Sequence, residues 1–412
     1  MMKKTKIITA SIFGNALEFY NLTLYGFYVS ILAPLFFPSE NATYSLIASL
    51  SAFAFGFFVR PIGAIVFGSI GDKLGRRLAL SLSILFMGIP SLIISVLPGY
   101  SKIGFMAPLI LILCRLSQGL CSGGEFNGAT IFALEHVGKD RPGYVGGLIV
   151  GSCLLGSLIA TSIAMFFNQD IFPEWIWRVP FFIGGLASFF GLYMRRQIDE
   201  SPEFIEAENK NTIDHLPLKS ALTKHLRSCL LVFSIASFDG ALTYTLVTFM
   251  IVYATECLGI CKEHSMIYNF IGIASCMVAC PISGYFVDKY KIKNVLIISS
   301  LFVLTFSFPV FLLIQSKAWI PNVIANILLG LMVGSIIGIQ PLFSQRLFPV
   351  QDRYTGIAFS YSLGLGIMAG ITPIVLTMLV KELNLYNMPA YYLMGFAAVF
   401  ILIIKNVQLK TK

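Results

Sequence analysis

The sequence predicts an all-α polytopic membrane protein, with twelve transmembrane helices in two pseudo-symmetric six-helix bundles and both termini cytoplasmic. Three observations predict it. Of 412 residues, 57% are hydrophobic and only 12% are charged, with a mean hydropathy of +0.81. Soluble domains carry roughly 25% charge, so the chain lacks a surface for water and its solvent is lipid. Twelve apolar runs are long enough to cross the hydrocarbon layer, which takes about 20 residues. Finally, short polar motifs of the first half recur in the second half at nearly one offset.

The runs cover 9–36, 43–70, 78–97, 105–134, 144–167, 178–196, 229–256, 266–287, 294–314, 321–344, 354–380 and 389–407. The basic stretch Met1 to Lys6 leads into the first. No A-x-A cleavage site follows, and Glu18 and Asn21 interrupt the apolar core, so it reads as an uncleaved helix and not a signal peptide. Pro38, Pro98-Gly99, Pro142-Gly143, Pro173 and Pro349 punctuate the gaps. Between the second and third runs, Gly68-Ser-Ile-Gly-Asp72-Lys73-Leu-Gly75-Arg76-Arg77 reads as a basic cytoplasmic hairpin loop. With the N-terminus inside, 22 of the 29 Lys and Arg fall in inner segments, among them Lys3, Lys4, Arg195, Arg353, Lys410 and Lys412. Four fall in outer loops, and Arg60, Arg115 and Arg178 lie in or at the edge of helices. That asymmetry sets the orientation.

The one long polar stretch, 197–228, separates an N-terminal bundle at 1–196 from a C-terminal bundle at 229–412. Gly68-x-x-x-Asp72-Lys73 recurs as Gly284-x-x-x-Asp288-Lys289, 216 positions later. Asp140-Arg141 with Gly143-Tyr144 is echoed by Asp352-Arg353 with Tyr354 and Gly356, 212 positions later. Together they argue for a six-plus-six repeat with its binding site between the halves.

Several function classes fall away. The net charge of +9 sits in short gaps between apolar runs, not on a basic face, so no nucleic-acid partner is expected. The eight Cys residues lie mostly inside apolar runs and read as small core hydrophobes, although Cys257 and Cys261 flank an outer loop. The four His residues are not paired at metal spacing, and no metal or other cofactor is expected. No G-x-x-x-x-G-K-[ST] exists, so the energy source is a gradient and not ATP. Gly147-x-x-x-Gly151 and the run Gly364, Gly366, Gly370 read as helix packing. Asn41-Ala-Thr43 fits a glycosylation sequon. An intramembrane enzyme would need paired catalytic groups at membrane depth, and none is apparent.

The stretch Gly68 to Arg77 matches G-x-x-x-D-[RK]-x-G-R-[RK], and with it the chain resembles the major facilitator superfamily. More narrowly it resembles the metabolite:proton symporter branch that includes α-ketoglutarate permeases and proline/betaine transporters. The residues that carry this are Gly14-Asn15-Ala16-Leu17-Glu18, Arg60-Pro61-Ile62-Gly63, Arg115-Leu-Ser-Gln118-Gly119 with Gly123-Gly124-Glu125, Trp177-Arg178-Val-Pro180-Phe181, Arg195-Arg196 with Glu200-Ser-Pro202, and Met388-Pro389-Ala390-Tyr391-Tyr392. The resemblance implies the major facilitator fold in a bacterial inner membrane. It also implies a secondary transporter that imports a small carboxylate or zwitterion with protons by alternating access, working as a monomer. A proton-independent facilitator or exchanger, or a transport-dead sensor, is the alternative. Two departures matter. The branch has Asp or Asn after E-W-[FY], and here Glu18-Phe19-Tyr20-Asn21 loses the Trp and carries no titratable group at that position. The chain given ends at Lys412, without the coiled-coil tail of the osmosensing branch members.

A charge inside a transmembrane helix costs about 2.5–3.5 kcal/mol on insertion scales, so each one requires a reason. Arg60 lies roughly 15–18 Å from Asp72 along its helix, near the midplane, and Arg115 falls at similar depth. Either could hold a substrate carboxylate with its planar fork. Glu18 or Glu125 could bind the coupling proton; alternatively Arg60–Glu18 and Arg115–Glu125 are structural pairs. Asp239 is the one clear mid-helix charge of the second half and reads as a proton site, a partner for a substrate amine, or an interior hydrogen-bonded acid. Phe19, Tyr20, Tyr25, Tyr244 and Tyr253 could cage a quaternary ammonium, and Asn21 completes the cavity candidates. Gly68, Asp72, Lys73, Gly75, Arg76, Arg77 and Asp288 are the gating candidates. The resemblance suggests that Asp72 meets the positive N-terminal end of the eleventh helix near Tyr354. The second copy lacks Gly75 and the Arg pair, so the two gates should not be equivalent.

Overall fold

The structure, a computed structural model, describes residues 2–167, 171–210, 212, 216–381 and 383–407. Lys410 and Lys412 of the orientation count and linker residues 211 and 213–215 lie outside the described residues, as do the side chains of Lys3, Lys4 and Thr43. Among the described residues there is no strand, and twelve helices are long and apolar enough to span a bilayer. They are α1 (Thr5–Phe36), α2 (Tyr44–Leu74), α3 (Arg76–Val96), α4 (Met106–Val137), α5 (Pro142–Phe167), α6 (Glu174–Arg196), α7 (Leu226–Cys257), α8 (Lys262–Lys289), α9 (Ile292–Gln315), α10 (Trp319–Leu347), α11 (Arg353–Lys381) and α12 (Met388–Lys405). Helices are the natural answer to a lipid solvent, because each satisfies its own backbone groups within one segment.

Several helices outrun their apolar stretches. α2 continues through Gly68 and Asp72 to Leu74, and α3 starts at Arg76, so Gly75 alone separates them. The decapeptide expected to be a hairpin loop is therefore a helix end, a one-residue turn and a helix start. Gly75 makes this possible with φ +105°, ψ 148°, a conformation closed to residues with a Cβ. α8 likewise keeps Asp288 and Lys289. α2 is interrupted at Val59, because Pro61 has no N–H to return to Phe57. α10 is interrupted at Gly338 and Ile339 before Pro341. α7 passes into π-helical turns at Thr245–Phe249 and Tyr253–Cys257.

The chain forms two compact units. The first comprises Met1–His136, Leu155–Thr223 and Val350–Phe359; the second comprises Val137–Leu154, Lys224–Pro349 and Ser360–Lys412. The divisions fall inside α5 and α11. In the first unit, Tyr20, Leu24, Tyr28, Leu32 and Phe36 repeat every fourth residue on α1 and form one buried stripe, closed by Ile94, Leu111, Trp177 and Phe181. A short helix in the segment after α6, Pro202–Asn209, is capped by Ser201, whose side chain accepts from the Phe204 N–H.

Candidate functional site

In the first unit, α4 buries Arg115 completely. Its guanidinium lies 4.5 Å from the ring centroid of Tyr25 and 5.1 Å from that of Phe53. Its Nη1 donates to Gln118 Oε1 at 2.7 Å. Gln118 Nε2 donates to Ser91 Oγ at 2.9 Å, and Ser91 Oγ donates to Asn21 Oδ1 at 2.7 Å, so Asn21 stands at the end of a relay that starts on Arg115. Tyr25 is held in place by its hydroxyl on Ser49. Arg115 Nε and Nη2 have no hydrogen-bond partner. These two nitrogens share one edge of the guanidinium plane, the edge that takes a carboxylate with two parallel bonds. Among the described residues no acid neutralises this cation; two aromatic faces, each worth about 2 kcal/mol when desolvated, carry it instead.

The other membrane-depth charges of the first unit are paired. Arg60 bonds Ser122 Oγ through Nε at 2.8 Å and again through Nη2, and its Nη2 lies 3.4 Å from Glu18 Oε1. Ser122 Oγ also donates to Glu18 Oε1. α2 and α4 come close enough for this because a Cβ on Gly123 would collide with the Arg60 carbonyl. Glu125 does not pair with Arg115, contrary to one of the sequence readings. It takes Arg195 through both carboxylate oxygens, along with the Ser83 hydroxyl. Arg195, assigned from sequence to an inner segment, is buried because the last turn of α6 lies against α3 and α4. The aromatic candidates do not gather. Tyr25 meets a cation; Phe19 packs on Phe126, while the hydroxyls of Tyr20 and Tyr253 donate to the carbonyls of Pro180 and Tyr386.

The Gly75 turn organises a second cluster. Asp72 accepts from the backbone N–H of Tyr354 at 3.1 Å and of Thr355 at 2.8 Å, the first turn of α11, and pairs with Arg76 at 3.2 Å. Arg76, fully buried, also meets Glu135 and donates to the carbonyls of Gly71 and Val350. Arg353 bonds Glu135 at 2.8 Å and Glu203 at 2.6 Å. Glu200 accepts from the N–H groups of Arg76 and Arg77, both at 3.0 Å, and so caps the start of α3. The Tyr354 ring lies where a Cβ on Gly71 would stand, and its hydroxyl donates to the Gly124 carbonyl. Lys73 is exposed and Arg77 reaches the Arg196 carbonyl.

In the second unit Asp288 repeats the capping geometry, accepting from Gly143 N–H at 2.7 Å and Tyr144 N–H at 2.8 Å at the start of α5. It is half-buried, and no arginine pairs with it among the described residues. Asp239 is buried in α7 and accepts from the Tyr361 hydroxyl at 2.7 Å and the Thr243 hydroxyl at 2.8 Å.

Residues 12–373 match the Major Facilitator Superfamily. The chain belongs to that family. Family membership makes it a transporter and not an enzyme, and with its twelve spans a multi-pass inner-membrane protein. The proline/betaine transporter of Salmonella typhimurium is 31% identical over 96% of this chain and 82% of its own length. A glycine betaine/proline/ectoine/pipecolic acid transporter of Dickeya dadantii matches to the same extent. The inner membrane metabolite transport protein YhjE of Escherichia coli is 33% identical over 90% of this chain and 87% of its own length. Among solved structures, the proton:xylose symporter XylE superposes with a TM-score of 0.77, covering 98% of this chain and 95% of its own at 14% identity. That likeness is one of fold.

Sequence reasoning missed Gln118, Ser91 and Ser122 as partners and Glu135 and Glu200 as hubs. Glu135 stands one residue past the apolar run 105–134, which hid it, and Glu200 lies in a motif noted only for its resemblance.

Proposed function

We propose that the protein is a proton-coupled importer of small carboxylate-bearing osmolytes and metabolites, of the proline or betaine type. The observation that carries this is Arg115: a buried cation with no acid partner among the described residues, whose free Nε/Nη2 edge fits one carboxylate. The substrates for which the Salmonella and Dickeya relatives are named, proline and betaine among them, support the reading. Proline, betaines and dicarboxylates all carry the carboxylate that this edge fits; a sugar does not. Arg60 is the weaker candidate because Glu18 and Ser122 already occupy it.

Alternating access supplies the transport cycle, with the bundles 1–196 and 229–412 as the moving bodies and the termini cytoplasmic, in a monomer. Asp72 is the latch: its carboxylate bonds the N–H groups that begin α11, where the helix dipole favours negative charge. The bond closes the cytoplasmic side and breaks for inward opening. Purified protein in proteoliposomes, offered radiolabelled proline with unlabelled betaine, ectoine, dicarboxylates and xylose as competitors, tests the substrate class. Competition by xylose alone, or by no carboxylate, would overturn it.

A further inference from the structure

The buried carboxylates within the spans differ in what neutralises them. Glu18 has Arg60, Glu125 has Arg195, Glu135 has Arg76 and Arg353, and Asp72 has Arg76 with a helix N-terminus. Among the described residues, Asp239 has neither. Its two oxygens meet only hydroxyls, Tyr361 on one side and Thr243 on the other. An arginine-paired acid is neutral as a pair, whereas Asp239 becomes neutral in this apolar setting only by taking up a cation.

We propose that Asp239 is the group on which the transporter loads its coupling proton. The inference rests on the proposed function and adds the residue that does the coupling. The step is simple in balance: hydronium gives up a proton to one carboxylate oxygen, an O–H bond of the donor breaks as one on the acid forms, water leaves, and the charge of the side chain changes from −1 to 0. Hydroxyls suit such a site because each can donate to the ionised acid or accept from the protonated one, so neither state leaves an orphaned group. The groups that surround Asp239 are few. α11 brings Tyr361, α8 brings Cys276, and the helix of Asp239 itself brings Thr243. On α12 the Tyr392 hydroxyl is engaged with Thr372 of α11, and the one ionisable residue of α10, Arg346, is exposed near the helix end.

Local structure gives a second, independent sign. One residue after Tyr244, α7 leaves α-helical geometry for the π turn Thr245–Phe249, an arrangement that concentrates at functional sites. The Leu246 carbonyl in that turn is taken by Asn269 Nδ2 at 2.6 Å, which holds α8 to the turn. Tyr361 follows Tyr354 by seven residues on α11, roughly 10 Å along the axis. The helix whose first N–H groups Asp72 holds therefore also carries the hydroxyl that reports the state of Asp239.

The test uses the reconstituted full chain and its Asp239→Asn variant. Without substrate, pH-difference infrared spectra should show a titrating carboxyl band that the variant lacks. With radiolabelled proline, a pH gradient of about one unit supports about tenfold accumulation for one proton per substrate. That accumulation should vanish in Asp239→Asn while counterflow exchange keeps the wild-type half-saturation. Retention of the band, retention of accumulation, or loss of counterflow along with accumulation overturns the proposal; the last result marks Asp239 as a substrate-amine partner or a structural acid. A sodium gradient that replaces the pH gradient for the wild type overturns it too. Tyr361→Phe, which keeps the carboxylate, should still accumulate proline but with a displaced pH midpoint, and an unmoved midpoint counts against the proposal. Absence of wild-type proline transport would refute the substrate reading, and the infrared band would then still judge Asp239.

Discussion

Replacing Arg115 separates a substrate site from a structural charge. The residue makes one side-chain hydrogen bond, to Gln118, and leans on Tyr25 and Phe53, while Nε and Nη2 stay open. A carboxylate on that edge makes two charge-assisted bonds, each worth about 1.5–3 kcal/mol. Arg115→Lys keeps the charge and loses the fork, so it forfeits about one such bond, roughly 10- to 150-fold in affinity. Arg115→Met forfeits both and should abolish measurable uptake. Arg115→Met should not lower the melting temperature much, because removing an uncompensated buried cation relieves its desolvation cost as it loses the ring contacts. The assay is the half-saturation of proline counterflow in proteoliposomes, with thermal unfolding in detergent alongside. Unchanged half-saturation in Arg115→Lys would refute the fork argument. A collapse of stability in Arg115→Met with transport intact in the surviving fraction would assign the residue to structure.

Other consequences follow from the paired charges and the turn. Arg195→Met should destabilise by about 3–5 kcal/mol, since it strands Glu125 with the Ser83 hydroxyl alone, and Arg195→Met with Glu125→Leu should recover much of that; equal unfolding of single and double variants would show the pair is not the cause. Asp72→Asn weakens the hold on α11 by about 2 kcal/mol, roughly thirtyfold in population, so cysteine labelling from the cytoplasmic side should rise while substrate affinity in counterflow stays level. Asp288→Asn should shift the same labelling less, because Asp288 is half-buried and lacks an arginine; a larger shift than that of Asp72→Asn would contradict the inequality of the two gates. Gly75→Ala places a Cβ at φ +105° and against the Glu200 carboxylate, costing about 1–3 kcal/mol, visible as a lower melting temperature; wild-type melting would refute it.

Much of the architecture is legible in the sequence, because lipid makes each span nearly independent of the rest. The twelve runs became twelve spanning helices, and the motif at Gly68 to Arg77 marked the family. The ends of helices were less legible. An apolar run stops where polar residues begin, but a helix continues as long as those residues find partners, as Asp72 and Asp288 do. The candidate site was legible as a set of charges in the wrong solvent: Glu18, Arg60, Arg115, Glu125 and Asp239 all stand out on composition alone.

What the sequence by itself determined, then, is the solvent, the count of spans, and which residues need a reason to be there. Which charge neutralises which was decided only by the tertiary structure. Glu125 could face Arg115 on its own helix or Arg195 on α6, 70 positions away; the choice rests on α6 laying its last turn against α3 and α4. Arg60 finds Glu18 and Ser122 because α2 crosses α4 at Gly123 without a side chain between the backbones. Once those pairs close, Arg115 keeps a free edge and Asp239 has only hydroxyls. Pairing depends on helix contacts between residues far apart in the chain, and periodicity within one helix carries no record of them.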